Sequence, residues 1–296
     1  MPELPEVHAL AADLRSRLGG RRVRALRILA FSALKTVDPP LSAIEGRVVV
    51  GTARHGKHLD LVLRGDAGDE LHLVMHLARA GWIRWRDAAP RPSRPGAGPM
   101  AAQLVLEGDG GDPGGDGIDI TEAGTKKSLA IWLVRSPAEV PGIARLGPDP
   151  LAAGFTEADF AGILAAAGRA QIKGVLRDQS RIAGIGNAYS DEILHAARMS
   201  PFTPASMPPE KASALYTAMR ETLQAAVDRA DGVAAADLKR EKKTNLRVHG
   251  RVGEPCPVCG DTVRQVIYAD STFQYCPTCQ TGGKPLADRV LSRLLK

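Results

Sequence analysis

Aromatic residues are scarce in this sequence, at 4% of 296 positions, and no apolar run reaches the length of about 18 residues that a membrane span requires. A membrane-spanning helix is therefore not expected. The first residues lack a basic segment followed by a long apolar one, so we expect no secretion signal and a bacterial-type cytoplasmic, nucleoid-associated location. Only four cysteines occur, all between positions 256 and 279, which argues against a disulfide framework.

Basic residues outnumber acidic ones. Lysine and arginine total 39 against 33 aspartates and glutamates, which gives a net charge of +6 and an isoelectric point of about 9.3. A basic surface suits a polyanionic partner such as nucleic acid, although an ordinary basic protein of the cytosol has the same balance. With 44% apolar residues, the chain is long enough for two modest domains with real cores.

The first half of the chain has the pattern of a β protein behind one leading helix. Apolar residues at helical spacing predict a helix over residues 3–18. Alternating or β-rich segments predict strands at residues 22–29, 47–53, 58–63, 70–77, 82–85, 102–106 and 129–134, with loops at 90–99 and 108–117. We therefore predict an antiparallel β-sandwich domain over residues 1–136.

The second half is predicted to be helical and to end in a cysteine module. A linker over residues 137–154 leads into a helical domain over residues 155–248. Its helices are predicted to begin after Thr156 and to occupy residues 171–178, 188–197 and 210–229, with a charge-dense loop at 237–245. A zinc finger at 249–281 and a tail at 282–296 complete an α+β multidomain chain.

The N-terminus carries a candidate nucleophile. If Met1 is removed, Pro2 presents a secondary amine, which can attack an aldehyde-like carbon and form an iminium. A terminal amine titrates near pH ~8, and a helix N-terminus disfavours its charged form, so a fraction is neutral at pH 7. Glu3 stands one peptide bond away. Taken alone, these residues fit an ordinary helix start better.

The cysteine spacing is the most specific local signal. Cys256-x2-Cys259 is followed by Cys276-x2-Cys279, and the segments between them, 263–268 and 272–275, are predicted to form a hairpin. Four thiolates at this spacing predict a closed tetrahedral zinc site, which is structural because no coordination position stays open. Two redox-active cysteine pairs are the alternative.

Two further features are candidates for binding a phosphate backbone. The turn at Gly184 to Gly186 would let backbone N–H groups approach an anion, and Asn187 is placed to cap the next helix and donate to a phosphate. Lys173 precedes the turn, and Lys57 follows Gly56 at the head of a strand, where it can point off the sheet edge. A plain helical hairpin and a solvated turn lysine are the alternatives.

Together these motifs resemble the formamidopyrimidine-DNA glycosylase / endonuclease VIII family of base-excision repair enzymes. The resemblance spans nearly the whole chain, and the order of the motifs matches. The residues that carry it are Pro2-Glu3-Leu4-Pro5-Glu6-Val7, Gly56-Lys57, Met75-His76-Leu77 with Gly81, Leu146-Gly147-Pro148-Asp149-Pro150-Leu151, the stretch 179–192, Gly250-Arg251-x-Gly253-Glu254-Pro255-Cys256, and the four cysteines.

The resemblance implies a mechanism and a set of site residues. Family members carry a β-sandwich, a helix–two-turn–helix domain and a zinc finger, and act on a base flipped out of damaged double-stranded DNA. By this resemblance the Pro2 amine attacks C1′ and displaces the base, Glu3 protonates the ring oxygen, and elimination nicks the strand. Lys57 would hold or expel the 3′ phosphate, Lys173 and Asn187 would grip the backbone, and Glu192 would assist proton transfer.

The chain departs from the family where the lesion is recognised. The zinc finger of family members usually carries an arginine where this chain has Ser271. A serine can donate only a neutral hydrogen bond, so we expect contact with the DNA phosphates to shift to Arg264 or to the tail. Family members fill the space that the flipped-out base leaves in the DNA stack with a methionine, an arginine and a phenylalanine. Here Arg79 stands at the position of the methionine, and Lys126-Lys127 stand where the family has an Arg-Arg-Phe-Gly turn. We therefore predict a base preference unlike that of typical 8-oxoguanine enzymes.

The favoured reading is a bifunctional DNA glycosylase and AP lyase with one structural Zn²⁺, damaged double-stranded DNA as its partner, no membrane partner and a monomeric state. A damage-binding protein that does not cut would also tolerate the changed finger, but it would not need Glu3. A zinc-ribbon regulator of DNA would leave the N-terminal motif unexplained. Nicking of abasic duplex DNA separates the first reading from the other two.

Overall fold

A computed structural model describes residues 1–89, 96, 98–108, 115–268 and 271–287, except for the side chains of Tyr268 and Ser271. The chain divides into two units: Met1–Arg145 with Ala230–Leu238, and Leu146–Arg229 with Lys239–Lys296. Most of the predicted loop at 90–99, the middle of the loop at 108–117 and the end of the tail lie outside the described residues. Within the described part, no helix combines the length and apolar character that crossing a membrane requires.

The first unit contains one long helix and two four-stranded antiparallel sheets, with strand orders β1-β6-β7-β5 and β2-β3-β4-β8. The predicted β-sandwich with a leading helix is therefore confirmed. Its elements are α1 (Leu4–Leu18), β1 (Val23–Ile28), β2 (Val48–His55), β3 (His58–Arg64), β4 (Glu70–His76), β5 (Gly81–Arg86), β6 (Met100–Leu106), β7 (Gly117–Glu122) and β8 (Ala130–Val134).

The core of this unit is formed by apolar side chains at alternate positions of the strands, together with one face of α1. Leu59, Leu61 and Leu63 on β3 are fully buried, because successive side chains of a strand point to opposite faces. Leu10 and Leu14 of α1, 0% and 1% exposed, belong to the same cluster. Each such side chain contributes roughly 1.5–3 kcal/mol when it is fully buried. The core thus fixes the position of both α1 and β3.

Two parts of the first unit differ from the sequence-based expectation. Strand β7 was not predicted, although Ile118 and Ile120 are buried and alternate with Asp119, because the glycine and aspartate content upstream of it indicated a loop. The segment 230–238, assigned from sequence to the helical domain, belongs to this unit instead. The indole N–H of Trp82 donates to the Ala235 carbonyl at 2.9 Å, and Leu238 is fully buried in the core.

The second unit contains the helices and the cysteine hairpin that the sequence predicts. Asp159 N–H donates to Thr156 Oγ1 at 3.2 Å, and Thr156 N–H donates back to Asp159, so the weak capping signal is confirmed. The elements of this half of the chain are α2 (Glu157–Ala167), α3 (Ile172–Arg177), α4 (Asn187–Ala196), α5 (Pro209–Ala230), α6 (Leu238–Asn245), β9 (Arg264–Tyr268), β10 (Ser271–Tyr275) and α7 (Pro277–Thr281). The last residue of α5 and the first of α6 belong to the first unit.

The loop predicted at residues 237–245 is a helix, α6, so that prediction was wrong. Charge density favoured a loop, but lysine, arginine and glutamate are good helix formers. Leu238, the first residue of α6, is fully buried. Near its end, Asn245 Nδ2 donates to the Glu241 carbonyl at 2.9 Å.

Candidate functional site

The N-terminal motif is held at the start of α1. Pro2 and Glu3 are both buried, with Glu3 2% exposed. The backbone N–H of Glu3 donates to Glu6 Oε2 at 2.8 Å, and its carbonyl accepts the N–H of Val7 at 3.0 Å. Pro5 fits the first turn because its missing N–H would have no helical partner there. Residue 2 is therefore attached through a single peptide bond to a rigid helix end.

Lys57 occupies a tight turn between β2 and β3. His55 pairs with His58 across the strands, so Gly56 and Lys57 form a two-residue loop, and Gly56 has the left-handed φ of 57° that such loops need. Lys57 is 8% exposed. The alternative of a fully solvated turn lysine does not fit this burial.

Two neutral histidines lie beside this turn. The rings of His58 and His76 have centroids 4.9 Å apart. Burial, followed by the charges of His58 and Lys57, lowers the pKa of His76 to about 4, and burial lowers the pKa of His58. Both imidazoles are thus uncharged at pH 7 and offer hydrogen bonds next to the Lys57 ammonium.

A buried carboxylate supports the same turn from within the sheet. Asp60 on β3 is 1% exposed, and its Oδ2 lies 3.1 Å from His55 Nε2 and 2.9 Å from His72 Nδ1. Sequence reasoning missed Asp60 and the histidines around it. The available signal was a set of polar residues at alternate positions in strands that are otherwise apolar.

Three basic residues predicted to contact DNA lie on neighbouring turns of the first unit. Arg79 is exposed in the turn between β4 and β5, and Lys126 and Lys127 are exposed in the loop between β7 and β8. The N–H of Ala123 donates to the carbonyl of Ala80 at 3.2 Å, so the two turns touch. The turn requires Gly81, because a Cβ there would meet the Leu77 carbonyl oxygen at 2.1 Å.

Lys173, predicted to grip a DNA backbone, is fully buried in the second unit. Its ammonium pairs with Asp191, donates to the Thr272 carbonyl at 3.1 Å and lies 4.5 Å from the Phe273 ring centroid. Asp191 also bonds His249 Nδ1 at 2.8 Å. This placement disagrees with a direct backbone contact, because the charge is used inside the unit to join α3, α4 and β10.

Glu192, predicted to assist proton transfer, is also engaged internally. Its carboxylate is 5% exposed and accepts the backbone N–H groups of Arg247, Val248 and His249 at 2.8 to 2.9 Å. Burial raises the pKa of Glu192, and the three N–H donors oppose that rise. With three backbone partners the side chain fastens the segment that follows α6, which disagrees with a role at the reacting sugar.

The glycine turn is built differently from the predicted anion site. The N–H of Gly184, at a left-handed φ of 91°, already donates to Gln179 Oε1 at 2.9 Å, and Gln179 Nε2 donates to the Ile185 carbonyl at 2.7 Å. Gly186 and not Asn187 is the N-cap of α4, so the predicted cap was wrong. Asn187 Oδ1 is buried and has no hydrogen-bond partner among the described residues.

The four cysteines come together around one point. The sulfur atoms of Cys256, Cys259, Cys276 and Cys279 all lie within 4.8 Å of one another. Two of the Sγ–Sγ distances are 3.3 and 3.9 Å, close to the edge of about 3.8 Å that Zn–S bonds of ~2.3 Å give in a tetrahedron. The donor set and its size therefore fit a structural zinc ion.

His195 of α4 borders the cysteine cluster and was not predicted from sequence. Its Nε2 lies 3.3 Å from Cys256 Sγ, and the residue is 3% exposed. Burial, with smaller contributions from the charges of Arg247 and Arg198, lowers the pKa of His195 to about 4.

The finger strands carry the two remaining predicted contacts. Arg264 is exposed at the start of β9 and pairs with Tyr275 across the hairpin. Ser271 begins β10 and pairs with Tyr268, while its side chain lies outside the described part of the structure. The expected shift of backbone grip from Ser271 to Arg264 remains a prediction.

Comparison with known proteins gives this architecture a family. A model of the formamidopyrimidine-DNA glycosylase N-terminal domain matches residues 1–113, and one of the formamidopyrimidine-DNA glycosylase H2TH domain matches residues 146–237. The formamidopyrimidine-DNA glycosylase of Symbiobacterium thermophilum is 35% identical, over 95% of this chain and 89% of its own. An uncharacterized formamidopyrimidine-DNA glycosylase-like protein of Mycobacterium tuberculosis is 56% identical, over 54% of this chain and 99% of its own.

Solved structures agree with these matches. The MutM (Fpg) protein of Thermus thermophilus aligns with a TM-score of 0.78 and 32% identity, over 96% of this chain and 100% of its own. The Lactococcus lactis Fpg (MutM) in complex with an oxidized-pyrimidine-containing DNA aligns with a TM-score of 0.79 and 25% identity, over 95% and 100%.

One class of DNA repair glycosylases is defined by three features that occur here: a β-sandwich with a leading helix that begins after Pro2-Glu3, an H2TH domain and a four-cysteine hairpin. The chain belongs to the formamidopyrimidine-DNA glycosylase family.

Proposed function

We propose that this chain is a bifunctional DNA glycosylase and DNA-(apurinic or apyrimidinic site) lyase whose nucleophile is the Pro2 amine. The observation that carries the proposal is the burial of Pro2 and Glu3 at the fixed start of α1. Once Met1 is removed, the amine is positioned by a packed helix and not by a flexible side chain. A nucleophile held in this way loses little conformational freedom when it reacts.

The proposed reaction uses these two residues in sequence. The amine bonds to C1′ of the flipped-out nucleotide while the glycosidic bond breaks and the damaged base leaves with the bonding electrons. The departing base takes up the proton that the amine loses, and Glu3 protonates the ring oxygen, so that the ring opens and an iminium forms. Loss of a proton from C2′ then expels the 3′ phosphate, and a second elimination expels the 5′ phosphate.

Lys57 is proposed to stabilise the departing 3′ phosphate. Its turn is fixed by pairing of the flanking strands, and the nearby His58 and His76 are neutral at pH 7. A cation held in a partly water-excluded place stabilises developing negative charge better than one in bulk water. The two neutral imidazoles add hydrogen bonds without competing for the phosphate's charge.

Lys173 and Glu192 are proposed to act by positioning and not by contact with DNA. Both are buried, and their partners are the protein's own backbone and Asp191. Backbone contacts are instead proposed for Asn187, whose side-chain NH₂ group can donate to a phosphate oxygen, and for the exposed Arg264.

The base preference is proposed to differ from that of typical 8-oxoguanine enzymes. The joined turns that carry Arg79, Lys126 and Lys127 present cations in place of an apolar wedge. A guanidinium or ammonium fills the vacated stack less completely than a methionine or phenylalanine side chain. Damaged DNA as the substrate class is supported by the Lactococcus lactis relative, which was solved with oxidized-pyrimidine-containing DNA.

Zinc is proposed to bind at Cys256, Cys259, Cys276 and Cys279, whose sulfur atoms fit a tetrahedron. Its chemistry is structural: four thiolates close the coordination sphere, and binding energy stabilises the hairpin. The hairpin in turn presents Arg264 and the backbone of β10.

Borohydride trapping on abasic duplex DNA tests the proposal. We expect a covalent adduct that peptide mapping by mass spectrometry places on the N-terminal peptide beginning at Pro2. Pro2→Gly should lose most of the trapped product, whereas Arg135→Ala, which changes an exposed residue paired with Asp38, should trap as the native protein does.

Three results would contradict the proposal. These are an adduct that maps to a lysine, full trapping by an N-terminally blocked protein, and full activity of a preparation that retains Met1. DNA binding without nicking of the abasic strand would favour the non-cutting damage binder. Excision of 8-oxoguanine opposite cytosine at the rate of typical family enzymes would refute the altered base preference alone.

A further inference from the structure

His195 meets the cysteine cluster from helix α4, outside the hairpin. Its Nε2 lies 3.3 Å from Cys256 Sγ, and its other ring nitrogen, Nδ1, is buried without a hydrogen-bond partner. Both His195 and Cys256 are nearly inaccessible, at 3% and 2% exposure. Among the described residues, the one hydrogen-bond partner of this buried histidine is the sulfur of a metal-ligand cysteine, and the DNA chemistry proposed above does not explain that contact.

The chemistry of the two groups fixes which nitrogen carries the proton. A zinc-bound thiolate can only accept, and Nδ1 has no acceptor beside it among the described residues, so the N–H of the ring belongs on the nitrogen that faces the sulfur. With the proton on Nε2, the N–H points at the thiolate and Nδ1 keeps a lone pair. With the proton on Nδ1, a lone pair would face the negative sulfur and an N–H would be buried without an acceptor, which costs free energy twice.

We propose that His195 is a positioning residue of the metal centre, donating its Nε2–H to the Cys256 thiolate. The inference rests on the proposed zinc site. Four thiolates around Zn²⁺ carry a net charge of −2, and a donor from outside the module offsets part of that charge. The backbone N–H of Cys256 is already used, because it donates to the Asp261 carbonyl at 2.7 Å.

A second contact anchors the module to the same region. Gln280 Nε2 donates to the Met199 carbonyl at 2.9 Å, and Gln280 Oε1 accepts the N–H of Cys276 at 2.9 Å. The first and third cysteines are thus each tied, through one side chain, to α4 or to the turn that follows it. His195 therefore couples retention of the metal to the packing of the helical part of this unit.

Zinc release from the full-length holoprotein tests the inference. His195→Phe keeps a ring of similar size but removes the donor, and zinc transfer to a chromophoric chelator should become 10- to 100-fold faster, the usual loss for a metal ligand's hydrogen-bond partner. His195→Gln, which retains an N–H donor, should recover part of the native release rate. Tyr216→Phe removes a hydrogen bond to the Phe155 carbonyl in the same unit and should release zinc as the native protein does.

Tautomer measurement on the native holoprotein keeps the inference testable if His195→Phe does not fold. Nitrogen-15 NMR should show His195 protonated at Nε2 and unprotonated at Nδ1. The inference is overturned by the opposite tautomer, by native release rates in a folded His195→Phe protein, or by a purified native protein that binds no zinc. Neither readout uses DNA, so failure of the Pro2 mechanism would leave both results standing.

Discussion

At the scale of single residues, burial separates two lysines that the sequence predicts to contact DNA. Lys57 keeps 8% of its surface exposed in a turn, whereas Lys173 keeps none and is paired with Asp191. Both lysines have the same chemistry in the sequence. Their surroundings differ: Lys57 lies in a turn, where we propose that it meets a developing phosphate charge, and Lys173 is paired inside its own unit.

Glu3→Gln should separate the two chemical steps. The glutamine cannot protonate the ring oxygen, so we expect excision of a damaged base to fall by roughly 10²–10⁴-fold, the usual contribution of a general acid. Nicking of a preformed abasic site, whose sugar is already partly an open aldehyde, should fall much less. Rates on paired lesion and abasic duplexes measure the difference, and equal losses on both substrates would remove Glu3 from the acid role.

Because His76 is buried as a neutral imidazole, the free energy of unfolding of the first unit should fall in acid. Its pKa is lowered from 6.5 to about 4, so the unfolded chain binds more protons between those values and stability falls as pH decreases from 6.5 towards 4. His76→Gln should remove about 1–3 kcal/mol of this pH dependence. Urea unfolding followed by tryptophan fluorescence at pH 7 and pH 4.5 measures it.

The matched control for this pH experiment is His8→Gln, which changes an exposed histidine on α1. It should keep the native pH dependence. An unchanged slope in His76→Gln would show that burial of His76 is not the cause.

At the scale of elements, α4 is the hub of the second unit. Three contacts leave it within about one helical turn: Asp191 to β10 through the Gln274 N–H, Glu192 to the segment after α6, and His195 to the cysteine hairpin. These residues are spaced one, three and four apart, so they cover adjoining faces of one helix. A single helix thereby holds β10, the segment after α6 and the first cysteine of the hairpin.

Glu192→Gln should weaken this hub without stopping the reaction. Its new NH₂ group would face at least one of the N–H donors of residues 247–249, and an unsatisfied buried donor costs about 1–3 kcal/mol. Thermal unfolding of the holoprotein should report that loss. The single-turnover nicking rate at saturating protein should stay within a few-fold of native, and a loss of 100-fold or more in a folded variant would restore Glu192 to the chemistry.

At the scale of the whole molecule, each unit has its own reporter: tryptophan fluorescence for the first unit and metal content for the second. All three tryptophans, Trp82, Trp85 and Trp132, fall in the first unit, and all four cysteines fall in the second. Events confined to one unit can therefore be assigned without dividing the chain.

Removal of zinc should unfold the hairpin and leave the first unit intact. Because the hairpin has a small core of its own around Val263, the metal supplies much of its folding energy. Dialysis against a strong chelator should abolish retention of abasic DNA in a gel while the tryptophan emission maximum stays unchanged. A shift of that maximum, or undiminished DNA binding in metal-free protein, would contradict the assignment.

Local patterns predicted much of this fold. Leucines alternating over residues 58–63 predicted a strand, apolar residues at helical spacing predicted α1, and the cysteine spacing predicted the metal cluster. The prediction was wrong for α6, where charge density outweighed helix propensity, and it missed β7, where glycine and aspartate lie immediately upstream. In both cases a buried side chain, Leu238 or Ile118, supplied the stabilisation that local composition does not reveal.

The sequence by itself determined the family, the sandwich and the cysteine cluster. The spacing of apolar residues shows which face of a helix or strand is buried, and short motifs identify the family and the metal ligands. Only the tertiary structure decided that Lys173 and Glu192 face inward, that Gly186 caps α4, and that His195 reaches Cys256 across 61 positions of chain. Side-chain burial depends on neighbours far apart in sequence, and no local pattern states which of two identical charges the folded chain will enclose.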